Sequence, residues 1–461
     1  MKKSILLLIL LFSASLFAQD MTGAWKGDLS VPGGKLRLII NISQGLSGYT
    51  ATMDSPDQNA KGVKIDQIDF SDNTLTFSIA AGGISYKGTL EKDVIKGTFK
   101  QGAYDLPLSF SKGEIQNVTR RPQEPKAPFP YYTEDVTFKN EKAGITLAGT
   151  LTLPKKEGNY PVVILISGSG SQDRNEEIFE HKPFLVLADH LTRNGIGVLR
   201  YDDRGIGKSG GNPANGTSAD FATDTQAAFD YLKIRKEVNK KKIGLIGHSE
   251  GGLIAQLIAE KNADVAFIVM LAGPGIQGSE LMVLQNYLAG KADGIPENEL
   301  TTMGNTLREA YTVILTENDE KARRAAVASV FNKGFAPFFA SKGVPKDEIA
   351  RAVNAQVETV TSPWFVYFLR YNPAPVIEKL KCPILALNGE KDFQVAATAN
   401  LDAIKRAAEK GGNKKVITQK LPGLNHLFQE STTGTIQEYG EIEQTMSPVV
   451  LNEISTWVLK Q

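Results

Sequence analysis

A serine flanked by glycines, Gly247-His248-Ser249-Glu250-Gly251-Gly252, stands between an apolar run at residues 243–247 and a helical apolar pattern at 251–259. A strand that turns sharply into a helix strains the backbone at the turn, and glycines on either side keep neighbouring Cβ atoms out of the way. Such a turn lifts a hydroxyl above a sheet and aims the helix N-terminus at charge developing on a carbonyl oxygen. That is chemistry for a nucleophilic serine. Gly207-Lys208-Ser209-Gly210-Gly211 has the same spacing, but Asn212-Pro213-Ala214-Asn215-Gly216 follows it and cannot open a helix. Context therefore selects Ser249. In the same loop, Gly205, Gly207 and Gly210 imitate a dinucleotide-binding pattern without its following helix. Gly207-Lys208-Ser209 imitates a phosphate loop whose leading glycine is replaced by Asp202. A glycine-rich loop near the site is the better account.

A serine nucleophile needs a base, and the 4 histidines are His181, His190, His248 and His426. His190 falls on the polar side of a helical pattern at 184–191, His248 is tied to the turn, and His181, ahead of that helix, is expected at the surface. His426, in Pro422-Gly423-Leu424-Asn425-His426-Leu427-Phe428, follows the last apolar strand pattern. That is the carboxyl edge where open α/β sheets place their chemistry. A carboxylate must hold the base in the right tautomer. Asp392 reaches another strand end through Asn388-Gly389-Glu390-Lys391, with Glu390 as its competitor. One oxyanion donor is expected at the Glu250 amide, after the nucleophile, and another in the loop after an earlier strand. The run at 162–166 leads into Ser167-Gly168-Ser169-Gly170-Ser171-Gln172-Asp173-Arg174, where Ser169 is the expected donor and Gly170 the next candidate.

These groups need elements to hold them. Beyond residue 134 apolar strand patterns at 162–166, 196–201, 243–247, 267–271, 383–387 and 415–421 alternate with amphipathic helical patterns, which predicts a mostly parallel sheet covered on both faces. The rhythm stops at about 274–375, where the sequence is helix-rich, so a helical cap is expected to be inserted there. Residues 19–115 instead alternate polar and apolar side chains in short runs, as in Leu36-Arg37-Leu38-Ile39-Ile40-Asn41-Ile42, predicting a small all-β domain, a lipocalin-like barrel or sandwich. Weak repeats, Trp25-Lys26-Gly27, Tyr86-Lys87-Gly88 and Ile95-Lys96-Gly97, suit a meander of hairpins. Residues 116–133 are rich in proline and read as a stiff linker. On that reading the β module folds alone, and a chain starting near Tyr132 retains its chemistry.

Ile166-Ser167-Gly168-Ser169-Gly170, the loop Tyr201-Asp202-Asp203-Arg204-Gly205-Ile206-Gly207-Lys208-Ser209, the turn at 247–252, residues 388–392 and Asn425-His426 together resemble the α/β-hydrolase superfamily. The resemblance covers about residues 134–461 and is to its exported bacterial carboxylesterases, which share a core with serine-aminopeptidase-like hydrolases. It implies a serine hydrolase acting on small-molecule carboxylic esters of short or medium acyl chain through an acyl-enzyme, with no metal or organic cofactor. Ser167 departs from the pattern, standing where many relatives have histidine. In the cap, Trp364, Phe365 and Phe368 are the expected walls of an acyl or aryl pocket, with helix packing as the alternative. A peptidase of the same fold would need carboxylates that read a free amine, and Glu299, Glu309 and Glu317 could serve. A glycan- or lipid-binding envelope protein with an inactive core is a further alternative, set against the complete Ser, Asp, His order.

Bulk properties exclude other classes. Lys+Arg 52 against Asp+Glu 51 leaves a net charge of +1 and no basic surplus for nucleic acid or an acidic membrane. Met1-Lys2-Lys3, the apolar run at 5–12 and a small residue at Ala18 predict a signal peptide over 1–18, too short to span a bilayer. Export to the periplasm or the outside follows, with no later membrane span. The single cysteine, Cys382, permits no internal disulfide and reads as core filler.

Overall fold

The computed structural model describes residues 21–31, 34–45, 48–58, 60–101, 104–112, 121–214 and 216–461. The expected signal peptide and much of the expected linker's first half lie outside them. The chain divides into two compact units between Gln116 and Asn117.

The first unit is an antiparallel half-barrel. Its strands are β1 (Gly23–Val31), β2 (Gly34–Gly45), β3 (Gly48–Ser55), β4 (Ala60–Lys64), β5 (Gln67–Ser71), β6 (Thr74–Ile79), β7 (Ile84–Glu91), β8 (Val94–Gln101) and β9 (Tyr104–Lys112). They are ordered β4-β3-β2-β1-β9-β8-β7-β6-β5. Alternation places Trp25, Leu38, Ile40, Phe77, Tyr86, Ile95 and Phe110 in one core. The weak repeats noted above acquire a physical reason here. The Tyr86 hydroxyl crosses the sheet to donate to the carbonyls of Ile95 and Leu108 at 3.2 and 3.1 Å. A Cβ at Gly88 or Gly97 would occupy the hydroxyl's place.

The second unit holds an eight-stranded sheet. It comprises β10 (Tyr132–Asn140), β11 (Ile145–Leu153), β12 (Tyr160–Ile166), β13 (Gly197–Tyr201), β14 (Val238–His248), β15 (Phe267–Leu271), β16 (Ile384–Gly389) and β17 (Val416–Leu421), ordered β10-β11-β13-β12-β14-β15-β16-β17. β10 and β11 are antiparallel, as is the β11–β13 pair, and the remaining neighbours are parallel. The central runs are apolar on both sides because both faces are covered. Val162, Ile164 and Leu245 pack with α2 (Ser218–Ile234), α3 (Glu250–Lys261) and α10 (Ala397–Lys410). Val163, Leu165 and Val269 pack with α1 (Pro183–Arg193) and α11 (Pro448–Val458).

Between β15 and β16 lies the helical insertion: α4 (Gly278–Ala292), α5 (Glu297–Thr316), α6 (Glu320–Ser341), α7 (Lys346–Thr361), α8 (Pro363–Arg370) and α9 (Pro373–Ile377). It has its own core, built from Tyr311, Ile314, Val327, Phe331, Val357 and Leu369 among others. Cys382 precedes β16 and is partly buried, and burial pushes its thiol up to about 11. Among the described residues no helix is long and apolar enough to cross a membrane.

The proline-rich segment belongs to the second unit. Arg121 donates to the carbonyls of Phe179, Glu180, Gly440 and Ile442 at 2.9–3.3 Å. Gln123 accepts the Thr445 and Met446 amides at 2.6 and 3.0 Å and donates to the Met446 carbonyl at 2.7 Å. Prolines stop this stretch from forming helix or ladder, and its side chains bind backbone instead. The described part, expected as a spacer, is a strap across the loops that carry the site.

Candidate active site

β14 runs straight into α3 with Ser249 at the turn, at φ 51° and ψ −119°. A side-chain-bearing residue held at positive φ is strained, and the surroundings must over-determine it. They do so by close approach: a Cβ at Gly247 would collide with the Gly251 backbone, and one at Gly251 with the Ile166 carbonyl. The Ser249 amide donates to the Leu271 carbonyl at 2.8 Å, tying the turn to β15. Ser249 keeps part of its surface exposed. Ser209 is buried and its hydroxyl is spent, donating to the Asp202 carbonyl at 2.7 Å and accepting the Ala148 amide at 2.9 Å.

His426 follows β17 on a loop shaped by Asn425, whose side-chain oxygen accepts the Leu427 and Gln429 amides at 3.0 and 2.9 Å. Its Nδ1 lies 2.8 Å from Asp392 Oδ2, and both side chains are buried. The other Asp392 oxygen accepts the amides of Gln394 and Val395, each at 2.8 Å. An ionised carboxylate is the natural partner for three converging donors. Glu390 instead points to the Gly423 amide at 3.2 Å, in an exposed setting.

The loop after β12 curls beside the turn, so that a Cβ on Gly168 would lie 3.3 Å from Ser249 Cβ. The Gly168 amide is taken by Glu176 Oε1 at 2.7 Å. The amides of Ser169, Gly170 and Glu250 have no acceptor among the described residues. Two side-chain ties hold this loop to the neighbouring one. Arg174 makes a forked contact to Asp202, at 2.9 and 2.7 Å, and Asp203 accepts the Ser167 hydroxyl at 2.7 Å and the Gln172 amide at 3.0 Å. Burial pushes the Asp203 carboxyl up to about 7; the hydrogen bonds from Ser167 and Gln172 oppose the rise, and the charges of Glu176 and Glu250 add to it. The glycine-rich loop at 202–211 is thus tied to the oxyanion loop through Asp202 and Asp203.

The Glu250 carboxyl is buried, which raises its pKa, and Oε1 accepts from Ser218 Oγ at 2.5 Å and Trp364 Nε1 at 2.8 Å. The second bond ties α8 of the cap to the start of α3. Phe365 and Phe368, expected as pocket walls, are buried packing residues. Phe365 sits in the cap core beside Tyr311, and Phe368 stacks on Trp364 at 5.4 Å while joining the core under the sheet. An aromatic run at helical spacing serves a pocket or a core equally well by pattern, and the contacts Phe365 and Phe368 make here are those of packed cores. Trp364 alone of the three stays partly exposed.

Those arrangements can activate a hydroxyl and receive negative charge on a substrate oxygen. Residues 180–331 match the model of the family described as serine aminopeptidase, S33. Esterase EstD of Thermotoga maritima is 25% identical over 376 residues, covering 77% of this chain and 79% of EstD. The uncharacterized protein YfhR of Escherichia coli K12 is 31% identical over 223 residues, covering 42% of this chain and 75% of YfhR. The chain belongs to the α/β-hydrolase superfamily. The uncharacterized protein PA2218 of Pseudomonas aeruginosa is 34% identical over 173 residues, 35% of this chain and 45% of PA2218. The protein is a serine hydrolase of the α/β fold with an N-terminal β module.

Several residues that shape the hydrolase's site were not singled out by sequence. His181, expected at the surface, is fully buried and bonded through its two nitrogens to Thr445 Oγ1 at 2.9 Å and the Tyr439 carbonyl at 2.8 Å. Burial, with the Arg121 charge, lowers its pKa to about 4. Glu176 is buried and reaches both Gly168 and His248. The only available signal was an acidic side chain inside a glycine-rich loop.

Proposed function

We propose that this hydrolase cleaves carboxylic esters through an acyl-enzyme on Ser249. The observation that carries the reading is the strained Ser249 turn, whose His248 is bonded to the backbone carbonyl of His426, together with the buried His426–Asp392 couple. With Nδ1–H held by Asp392, the free lone pair of His426 is on Nε2, the nitrogen that takes the Ser249 proton. Ser249 Oγ attacks the ester carbonyl carbon, and the carbonyl oxygen, now negative, is received by the Ser169 and Glu250 amides, which have no acceptor among the described residues. His426 returns the proton to the departing alkoxide and the alcohol leaves. Water, deprotonated by His426, then attacks the acyl carbon, and the carboxylic acid leaves as His426 returns that proton to Ser249 Oγ.

An ester substrate is favoured over a peptide with a free amine by where the carboxylates are spent. Glu250, beside the nucleophile, is occupied by Ser218 and Trp364. Glu299 is paired with Lys342 at 2.7 Å and Glu317 accepts the Asp319 amide at 2.8 Å, which leaves Glu309, exposed on α5, as the one carboxylate of the three without a bonded partner among the described residues. EstD, named an esterase, agrees with this choice. The apolar N-terminal run supports export to the periplasm or beyond. A fluorophosphonate probe followed by peptide mapping should place one label on Ser249, and p-nitrophenyl butyrate should turn over faster than aminoacyl p-nitroanilides. A label on Ser209, or the opposite substrate order, overturns the reading.

A further inference from the structure

Glu176 and His248 take no step in that reaction, yet their hydrogen bonds join its three moving parts. A backbone carbonyl can only accept, so His248 Nε2 carries a proton in its 3.1 Å bond to the His426 carbonyl. On the other side of the ring, Nδ1 lies 2.9 Å from Glu176 Oε1, the oxygen that also accepts the Gly168 amide. One proton lies between Nδ1 and the carboxyl, and imidazole is the stronger base. The form this contact favours is an imidazolium beside a carboxylate. Burial opposes that charge, but the Glu176 carboxylate and its hydrogen bond outweigh it, with Asp392 adding in the same sense, and the His248 pKa is raised. The groups facing the ring are Glu176 from the loop after β12, His426 at 4.8 Å between ring centres, and Phe428 at 6.4 Å.

Resting on the acyl-enzyme reading, we propose that the Glu176–His248 ion pair sets the oxyanion loop and the base loop in register with the nucleophile. Glu176 and His248 are positioning residues. One end of the pair fixes Gly168, the residue before the Ser169 donor. The other end fixes the backbone of His426, and His248 is bonded covalently to Ser249. A neutral His248 that donates to the His426 carbonyl keeps Glu176 only if the carboxyl carries the shared proton, so loss of that proton from the pair releases one loop. A buried pair stripped of one member is also left with an uncompensated group, which drives the loop further from its place.

The test uses the full chain and the variants Glu176→Gln and His248→Gln. Positioning predicts that each lowers kcat by on the order of 10²-fold, since displacement of about 1 Å costs that much, while KM stays within about threefold. Fluorophosphonate should still label Ser249 to the same endpoint in both variants, at a rate reduced by a similar factor. In the wild-type chain, imidazole nitrogen NMR at neutral pH should show His248 protonated on both ring nitrogens. A labelled wild type beside variants of unchanged kcat overturns the positioning role alone, as does a His248 with one ring proton. So does a loss of kcat matched by an equal loss of labelling endpoint, because that reports misfolding. A wild-type chain that takes no label overturns the acyl-enzyme reading and the positioning role together.

Discussion

Replacing Asp392 with asparagine should disable the base by turning it over, and the hydrogen bonds around the carboxylate give the size of the effect. One Asp392 oxygen accepts the amides of Gln394 and Val395, both at 2.8 Å, and the other faces His426 Nδ1 at 2.8 Å. An asparagine in this place must keep its oxygen toward the two amides, which puts its NH₂ against Nδ1. His426 then protonates on Nε2 and has no lone pair for the Ser249 proton. Flipping the amide back would leave two buried N–H groups facing NH₂, at about 1–3 kcal/mol each. The working arrangement is therefore disfavoured by roughly 2–6 kcal/mol, or about 30- to 3 × 10⁴-fold. Loss of the charge that stabilises the imidazolium adds to this, so kcat on p-nitrophenyl butyrate should fall by about 10³–10⁴-fold. KM and the circular dichroism spectrum should stay close to wild type. Glu390→Gln, touching only an exposed amide bond to Gly423, should stay within about twofold. An Asp392→Asn protein that keeps more than a tenth of its kcat, or a loss that follows Glu390 instead, refutes the reasoning.

Phe365→Ala and Phe368→Ala, both at buried packing positions, should each cost about 3–5 kcal/mol of stability and leave the p-nitrophenyl ester chain-length profile unchanged; denaturant melts and rates from acetate to octanoate check this. A chain beginning at Asn117 should keep the wild-type kcat on p-nitrophenyl acetate, because every group assigned to the reaction lies in the second unit. One beginning at Tyr132 loses the Arg121 and Gln123 contacts to backbone, and at about 1–3 kcal/mol for each contact that counts, its melting temperature should drop by several degrees. Asp203, with its folded pKa raised to about 7, keeps its proton at pH values where the unfolded chain has lost it. Stability from this group therefore falls as pH rises from about 4 to 7, and Asp203→Asn should raise the melting temperature at pH 8 more than at pH 5.

The elements were legible wherever one side-chain period ran long enough. The runs at 162–166 and 243–247 are apolar on both faces because helices cover both, and that pattern has few other physical readings. The stretch between Ser249 and Asp392 was legible as an insertion because helical spacing replaced strand runs, and the same βα rhythm placed His426 after a strand end. Polar partners leave no such trace. Arg121 meets Gly440 and Ile442 across more than three hundred residues of chain, and nothing in its neighbourhood of prolines distinguishes a clamp from a solvated linker charge. His181 fails for the same reason: a histidine ahead of a helix is surface-like by local sequence, and it takes Thr445, Gln429 and the Tyr439 carbonyl, all distant in sequence, to make burial tolerable. The aromatic residues of α8 show a different ambiguity, since Phe365 and Phe368 follow the spacing of a buried helix face and a pocket wall alike. Which role each plays depends on the space left by Tyr311 and Trp364, a packing fact that no periodicity carries. The site therefore divides by the range of the physics. Strand ends and glycine turns are local and show in the sequence, while the ion pairs and carbonyl clamps that hold those ends in register are long-range and appear only once the chain is folded.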